Sequence, residues 1–353
     1  MINHLVTDQN WQAQINDLIT DPRELLQLLH LPEHLLDGAL AGQQSFGLRV
    51  PRVFVERMQI GNPHDPLLLQ VLPLHLELDT AAGYSLDPLG EAAANATAGI
   101  LHKYHNRLLL TLTGACAIHC RYCFRRHFPY QDNLPKTEDW PRIRDYLLTH
   151  PDVNEVILSG GDPLSVSNRR LFYWLEQLES LPQLTTLRIH SRLPVVLPAR
   201  MDDELLARLA SSRLHVVLVI HSNHPNELDK NTTRVLQRCR ESGMFLLNQT
   251  VLLKGINDNT DCLAALSHRL FDAGVLPYYL HLMDRVQGAA HFDVEESTAL
   301  AIYQQLMRQL SGYLLPRLVR EQAGWPFKVP VDLRLKEKSF LLPHESPQEM
   351  STA

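Results

Sequence analysis

Three of the five cysteines in this 353-residue chain fall within eight residues, in the segment Cys116-Ala-Ile-His-Cys120-Arg-Tyr-Cys123. Five is an odd, low number for such a length, so a disulfide framework is not expected. Thiolates gathered on one short segment are ligands for an iron–sulfur cluster or for structural zinc. A closed site needs four. Three local cysteines leave one iron of a cubane cluster without a protein ligand, and an open coordination position can take up and activate a substrate. The plainer reading makes the three small buried hydrophobes on one helix face. Against it stand His119, Arg121, Arg125 and Arg126, a polar and basic flank that disfavours burial and predicts thiols of lowered pKa. Cys239 and Cys262 sit alone, each on a predicted helix.

From residue 108 onward short apolar runs alternate with amphipathic stretches, the mark of βα units and a parallel sheet. Six strands are predicted, at 108–113, 153–159, 184–190, 214–221, 244–252 and 276–282. Helical patterns lie between them, such as 168–180 with Leu171, Trp174, Leu175 and Leu178 on one face, and 228–242 with Leu228, Val235, Leu236 and Cys239. Six units suit a partial barrel or a doubly wound sheet, and periodicity does not separate the two. Polar and glycine residues collect at the C-terminal ends of the runs: Thr113-Gly114, Ser159-Gly160-Gly161-Asp162, His190-Ser191-Arg192, His221-Ser222-Asn223-His224 and Asn248-Gln249. Parallel α/β folds place their sites on that rim. Ahead of the runs, residues 9–48 read as helical, with Pro22 opening a second helix. A strand or strand pair is expected around 67–78, with loops at Asn62-Pro63 and Asp87-Pro88.

With 45% hydrophobic and 20% charged residues, the chain has the make-up of a folded globular protein and not of a disordered or fibrous one. No internal repeat or low-complexity tract is visible. A net charge of -6 and a pI near 6.3 give no general reason to bind nucleic acid or an anionic membrane, which leaves only a local basic patch at Arg121, Arg125 and Arg126. No apolar run of about 18 residues is present, and the N-terminal MINHLVTDQNWQ lacks the basic and apolar regions of a signal peptide. A cytoplasmic location is the expectation. An electron carrier and a zinc-stabilised binding module are the rival classes that three clustered cysteines leave open.

Cys-x3-Cys-x2-Cys after the first strand of a βα series resembles the radical S-adenosylmethionine superfamily. The resemblance implies a [4Fe-4S] cluster on Cys116, Cys120 and Cys123, whose remaining iron chelates the amino and carboxylate groups of S-adenosylmethionine. It also implies an α/β fold, a partial (βα)6 TIM-type barrel. Ser159-Gly160-Gly161-Asp162-Pro163 is similar to the family's glycine-rich stretch that meets the methionine amino group, and glycine lets backbone approach a ligand closely.

Further stretches narrow the resemblance. Asn106-Arg107, Cys123-Phe-Arg125-Arg126, His221-Ser-Asn-His224-Pro-Asn-Glu, Asn248-Gln249-Thr-Val-Leu-Leu-Lys-Gly-Ile-Asn257-Asp258 and Tyr278-Tyr279-Leu-His-Leu-Met-Asp284, followed by His291-Phe292, are together similar to lysine 2,3-aminomutases over residues 87–332. This implies that Lys328, in Gly324-Trp-Pro-Phe-Lys328-Val-Pro330, carries pyridoxal 5′-phosphate. The stretch is poorer in glycine than is usual and reads Lys-Val-Pro where Lys-Thr-Pro is common. Burial against Trp325 and Phe327 is expected to lower the pKa of that lysine. Arg107 is implied to bind the cofactor phosphate, a task that suits a planar fork, and Arg125 the substrate carboxylate. Asp284 and Glu321 match two acidic residues that hold the distal amino group of lysine, the second commonly Asp. His221, Gln249, Gly160, Gly161 and Asp162 are implied on the S-adenosylmethionine side.

The implied reaction is the isomerisation of (S)-α-lysine to (R)-β-lysine, with an electron from a flavodoxin-type donor. Aminomutases acting on arginine or glutamate are the alternatives, and an acidic pair favours a cationic side chain. Clostridial-type members carry C-terminal cysteines that bind zinc between subunits. None follows Cys262, so no zinc and a different or weaker homo-oligomer are expected. The short tail and Val286-Gln287-Gly288-Ala-Ala-His291-Phe292 resemble the bacterial branch serving elongation factor P, to which a lysyl-tRNA-synthetase-like ligase attaches β-lysine. The expected layout is a mainly helical N-terminal extension over 1–95, the barrel over 96–312 and a C-terminal segment, 313–353, bearing the lysine.

Overall fold

In the computed structural model of the chain, residues 10–91 and 95–335 are described. The six predicted strands form β3 to β8, preceded by β1 (Asn95–Thr97) and β2 (Ile100–Tyr104). They are β3 (Arg107–Thr113), β4 (Glu155–Gly160), β5 (Thr186–Ser191), β6 (His215–His221), β7 (Phe245–Val251) and β8 (Leu276–His281). β9 (Arg317–Arg320) and β10 (Val329–Pro330) follow. All lie in one sheet in chain order. β3 through β9 run parallel, each beside its predecessor. β1 and β2 add antiparallel strands at one edge and β10 at the other. A doubly wound sheet reverses its strand order at a switch point. Here the order never reverses, and the two end strands do not pair, so the sheet is that of a partial TIM-type barrel.

Ahead of the sheet the described residues include α1 (Trp11–Asn16), α2 (Pro22–Leu28), α3 (Leu35–Ser45) and α4 (Arg52–Val55). The barrel's crossovers carry α5 (Trp140–Thr149), α6 (Asn168–Glu179), α7 (Leu193–Val196), α8 (Asp203–Ala210), α9 (Lys230–Glu241), α10 (Thr260–Asp272) and α11 (Glu296–Gln309). Side-chain oxygens of Ser167, Asp202, Asp229 and Asn259 accept amide N–H groups at the starts of α6, α8, α9 and α10. Each such cap contributes about 1 kcal/mol. The α6 face of Leu171, Trp174, Leu175 and Leu178 is buried, as its spacing predicts, in one core with Leu158, Leu187, Ile189 and Leu218 of the strands. Burying a side chain of this kind stabilises the fold by about 1.5–3 kcal/mol. Trp11, Ile19, Leu25 and Phe54 belong to the same core, so the N-terminal helices pack onto the barrel. Cys239 and Cys262 fall on α9 and α10.

The strand expected around 67–78 does not form. Leu67, Leu68, Val71 and Leu72 are buried, but as two adjacent pairs four residues apart, which is the face of a helical turn and not of a strand. The Asp65 carboxylate opens that turn by accepting the Leu67 and Leu68 amides at 2.8 and 3.0 Å, and a 3-10 turn, His75–Leu78, follows. No helix among the described residues is long and apolar enough to cross a membrane.

Candidate active site

The loop after β3 carries the three cysteines, all unpaired and half-buried, into a cavity at the C-terminal ends of the strands. What holds the loop is ionic. Arg121 and Arg126 both reach the Glu77 carboxylate, Arg121 Nε at 2.8 Å and Arg126 Nη2 at 2.7 Å, and all three side chains are out of solvent. Arg125 sets its fork on Glu91, with Nε and Nη2 each 2.7 Å from a carboxylate oxygen, while Nη1 donates to Ser159 Oγ at 2.9 Å. The basic patch suggested by Arg121, Arg125 and Arg126 is therefore not a surface: each arginine is consumed by an acidic partner ahead of the barrel. At Cys123 the charges of Arg125 and Arg126 pull the thiol down, but burial outweighs them. Burial pushes the Cys116 thiol up, and that of Cys123 to about 11, so the protons must leave as metal binds.

The loop after β4 packs directly on the cysteine loop. A Cβ on Gly160 would meet Thr113 O at 2.7 Å, and one on Gly161 would meet Ala115 O at 2.5 Å; Gly160 also has a φ of +115°. Glycine is required here by the neighbouring chain as well as by any ligand. The Asp162 carboxylate accepts Ser191 Oγ–H at 2.7 Å and the amides of Leu164, Arg192 and Leu193 at 3.0, 2.8 and 3.1 Å. With four donors on its two oxygens, Asp162 ties β4 to the turn after β5.

Across the cavity, β9 and β10 present Glu321 and Lys328. Glu321 pairs with the Lys328 amine through Oε2 and accepts the Tyr104 hydroxyl at 2.9 Å through Oε1. Burial would raise the Glu321 carboxyl, but Lys328 and Tyr104 more than offset it and hold it low. The Arg107 guanidinium stacks on the Tyr104 ring, 4.0 Å from its centroid, and donates to the Asn106 side chain at 3.0 Å, which leaves most of its fork free. Asp284 is half-buried, and its loss of solvent, with Glu321 nearby, pushes its carboxyl up to about 7. The expected packing of Lys328 against Trp325 and Phe327 is not found. Those rings are 48% and 47% exposed and touch each other edge to face, whereas the lysine turns inward over Tyr279.

All thirteen residues singled out from the sequence line this one cavity: Cys116, Cys120, Cys123, Arg107, Arg125, Gly160, Gly161, Asp162, His221, Gln249, Asp284, Glu321 and Lys328. The cavity also contains residues that sequence reasoning missed, namely Glu91, Tyr104, His190, Arg192 and His281. His190 and Arg192 stood in a polar cluster at a strand end, a signal that was available. Glu91 lay in a stretch with no readable pattern. Burial keeps His190, His221 and His281 neutral, His221 down to about 4, with the Lys328 charge adding to each. The Nε2 atoms of all three and Nε2 of Gln249 are buried without a hydrogen-bond partner. A cavity wall with unused donors and acceptors suits a polar ligand.

The donor set fits the groups the sequence implied. Three free thiols on one loop share one wall of the cavity. A cubane takes one thiolate on each of three irons, which three thiols supply. A free guanidinium fork and an inward amine on the opposite wall suit a phosphorylated aldehyde cofactor.

An open sheet of parallel strands wound in chain order, with three cysteines on the loop after the first of them, defines the radical S-adenosylmethionine class, and residues 110–263 match the Radical SAM superfamily. The chain is 49% identical to an L-lysine 2,3-aminomutase of Escherichia coli (strain K12), over 95% of this chain and 99% of that one. It is 49% identical to the L-lysine 2,3-aminomutase of Haemophilus influenzae, over 91% and 95%, and 35% identical to that of Clostridium subterminale, over 91% and 77%. The chain belongs to the L-lysine 2,3-aminomutase family. Its class is that of the radical isomerases, with a [4Fe-4S] cluster, S-adenosylmethionine and pyridoxal 5′-phosphate as cofactors. Among solved structures, Streptococcus suis SuiB bound to S-adenosylmethionine aligns with a TM-score of 0.46 and 14% identity, covering 65% of this chain and 53% of that one.

Proposed function

We propose that the chain converts (S)-α-lysine to (R)-β-lysine in the cytoplasm, and that the product supplies the ligase-dependent modification of elongation factor P. One observation supports the substrate best. A single cavity holds the cysteine loop and Arg125 on one wall and two carboxylates, Asp284 and Glu321, beside the inward amine of Lys328 on the other. Cysteines 116, 120 and 123 hold the cluster, Arg107 grips the cofactor phosphate and Lys328 attaches the cofactor covalently. When bound, the cluster with S-adenosylmethionine supplies a 5′-deoxyadenosyl radical, and pyridoxal phosphate supplies a π-system that spreads the substrate radical.

The protein's own work is orientation. Arg125 is fixed in pose by Glu91 and Ser159, and the Nη2 N–H that neither takes is left for the substrate carboxylate. Asp284 and Glu321 take the distal ammonium. A ligand fixed at both ends has one carbon presented to the cluster wall, and holding that geometry lowers the entropic part of the barrier. The neutral histidines add polarity without a third cation to compete for the carboxylates. A glutamate side chain would face two like charges, so a cationic side chain is the better match.

The reading is tested by anaerobic incubation of iron–sulfide-reconstituted protein with S-adenosylmethionine, pyridoxal phosphate, dithionite and, separately, L-lysine, L-arginine and L-glutamate. Chiral derivatisation and mass spectrometry should show (R)-β-lysine from lysine alone. A product from arginine or glutamate but not lysine would replace the substrate, and (S)-β-lysine would replace the stereochemistry. The link to the translation factor predicts that this product, given to the ligase and the factor, adds the mass of one lysine residue. A preference of that ligase for α-lysine would break the link.

A further inference from the structure

Cys120 differs from the other two cysteines in what lies behind it. Behind Cys120 stands a charge: Nη1 of Arg192, on the turn after β5, is 2.8 Å from its sulfur. The other terminal nitrogen, Nη2, donates to Gln70 Oε1 at 2.6 Å and to Glu227 Oε2 at 3.0 Å. The Arg192 amide donates to Asp162 at 2.8 Å, which fixes where the side chain leaves the backbone. Arg192 is 4% exposed, and Gln70 and Glu227 are fully buried.

The acceptors are themselves held. Glu227 Oε1 takes the amides of Asn223 and His224 at 2.8 and 3.0 Å, and Gln70 Oε1 also takes Asn223 Nδ2 at 3.0 Å. Gln70 comes from the segment ahead of the barrel, and its carbonyl accepts the Arg121 amide at 2.9 Å, inside the cysteine loop. Arg57, from the same N-terminal part, donates to the carbonyls of Val195 and Glu227 at 2.7 and 2.9 Å. The N-terminal helical part thus reaches one cluster ligand through a single buried guanidinium.

We infer that Arg192 is a positioning residue that tunes the cluster through Cys120, and that Glu227 sets how much of its charge the cluster feels. A hydrogen bond and a positive charge at a ligating sulfur favour the reduced, more negative cluster and so raise its reduction potential. The Glu227 carboxylate opposes part of that effect. Gln70 steers the guanidinium without altering its charge, which makes the segment ahead of the barrel a determinant of how readily the cluster accepts its electron. The inference needs the family's cluster and is independent of which amino acid is isomerised.

The test is a redox titration of the reconstituted full-length protein, followed by the electron paramagnetic resonance of the reduced cluster, without S-adenosylmethionine or amino acid. Arg192→Met should lower the potential by roughly 59 mV, a tenfold change in the one-electron equilibrium. Glu227→Gln, which keeps the shape and one acceptor oxygen, should move it the opposite way, and Arg192→Lys should stay nearer the parent than Arg192→Met. Opposite shifts are not expected from a residue that merely holds the fold. Unchanged potential in Glu227→Gln, or shifts of the same sign in both variants, would overturn the inference. Should Arg192→Met fail to retain iron, the sign in Glu227→Gln decides alone. The assay contains no lysine, so its failure would leave the substrate reading untouched.

Discussion

The two walls of the cavity are built on different principles. On the cysteine wall the charges are spent: Arg121 and Arg126 on Glu77, Arg125 on Glu91 and Arg192 on Glu227, all buried and with several partners each. On the lysine wall Arg107 keeps most of its fork free, Lys328 is paired to one carboxylate, and that carboxylate doubles as half of the proposed ammonium site. The first wall is rigid before any cofactor arrives. The second must exchange partners when cofactor and substrate bind, because Lys328 and Glu321 cannot keep each other and also serve them. Radical chemistry gives a reason for the asymmetry: the group that generates the radical has to be fixed, while the group that carries the substrate has to be released at each turnover.

Single removals from each wall should separate the two most sharply. Cys120→Ala and Lys328→Ala are both expected to abolish β-lysine formation. Iron analysis and borohydride trapping then sort them: Lys328→Ala keeps its iron and loses the trapped cofactor, and Cys120→Ala does the reverse. Loss of both groups in either variant would mean the walls are not independent.

The next largest effect is on stability. Glu77→Gln leaves two buried arginines under-compensated and should cost about 3–5 kcal/mol in denaturant unfolding. Glu296→Gln, which weakens the half-exposed pair with Arg320 beside the lysine wall, should cost no more than about 1 kcal/mol. Equal costs would erase the contrast between the two walls.

A third effect concerns the carboxylates. Asp284 must be ionised to hold an ammonium group, and its carboxyl is pushed up to about 7 by burial and by Glu321. As pH falls through about 7 the free enzyme protonates it, so kcat/KM for lysine should fall about tenfold per unit below that point. Asp284→Asn should remove this limb and raise KM by about tenfold or more. A limb that persists in Asp284→Asn would assign the titration to another group. The smallest change is expected for Arg107→Lys, which keeps the charge and loses the fork, and should weaken pyridoxal phosphate binding a few-fold in a spectroscopic titration.

Six strands were legible because each is an apolar run ended by a polar or glycine cluster, and a buried parallel strand requires that pattern. β1, β2, β9 and β10 were not. They are two to five residues long, and β9 reads Arg-Leu-Val-Arg, too short and too mixed to show a period. The turn at residues 67–72 was misread because leucine-rich runs look alike until an Asp65 cap decides the backbone. Within the site, residues whose chemistry is intrinsic announced themselves: three cysteines in eight positions, and Lys328 through its neighbours. Glu77, Glu91 and Glu227 did not. Their role is to neutralise arginines 34 to 49 residues away in the chain, and nothing local marks a glutamate for that task.

The central claim is that one cavity brings the radical generated at the cysteine wall into contact with the substrate carried from the lysine wall. Lysine deuterated at C3 tests it most directly. After anaerobic turnover, deuterium should appear at the 5′ carbon of recovered deoxyadenosine or S-adenosylmethionine. β-Lysine formed while that carbon stays free of deuterium would contradict the account.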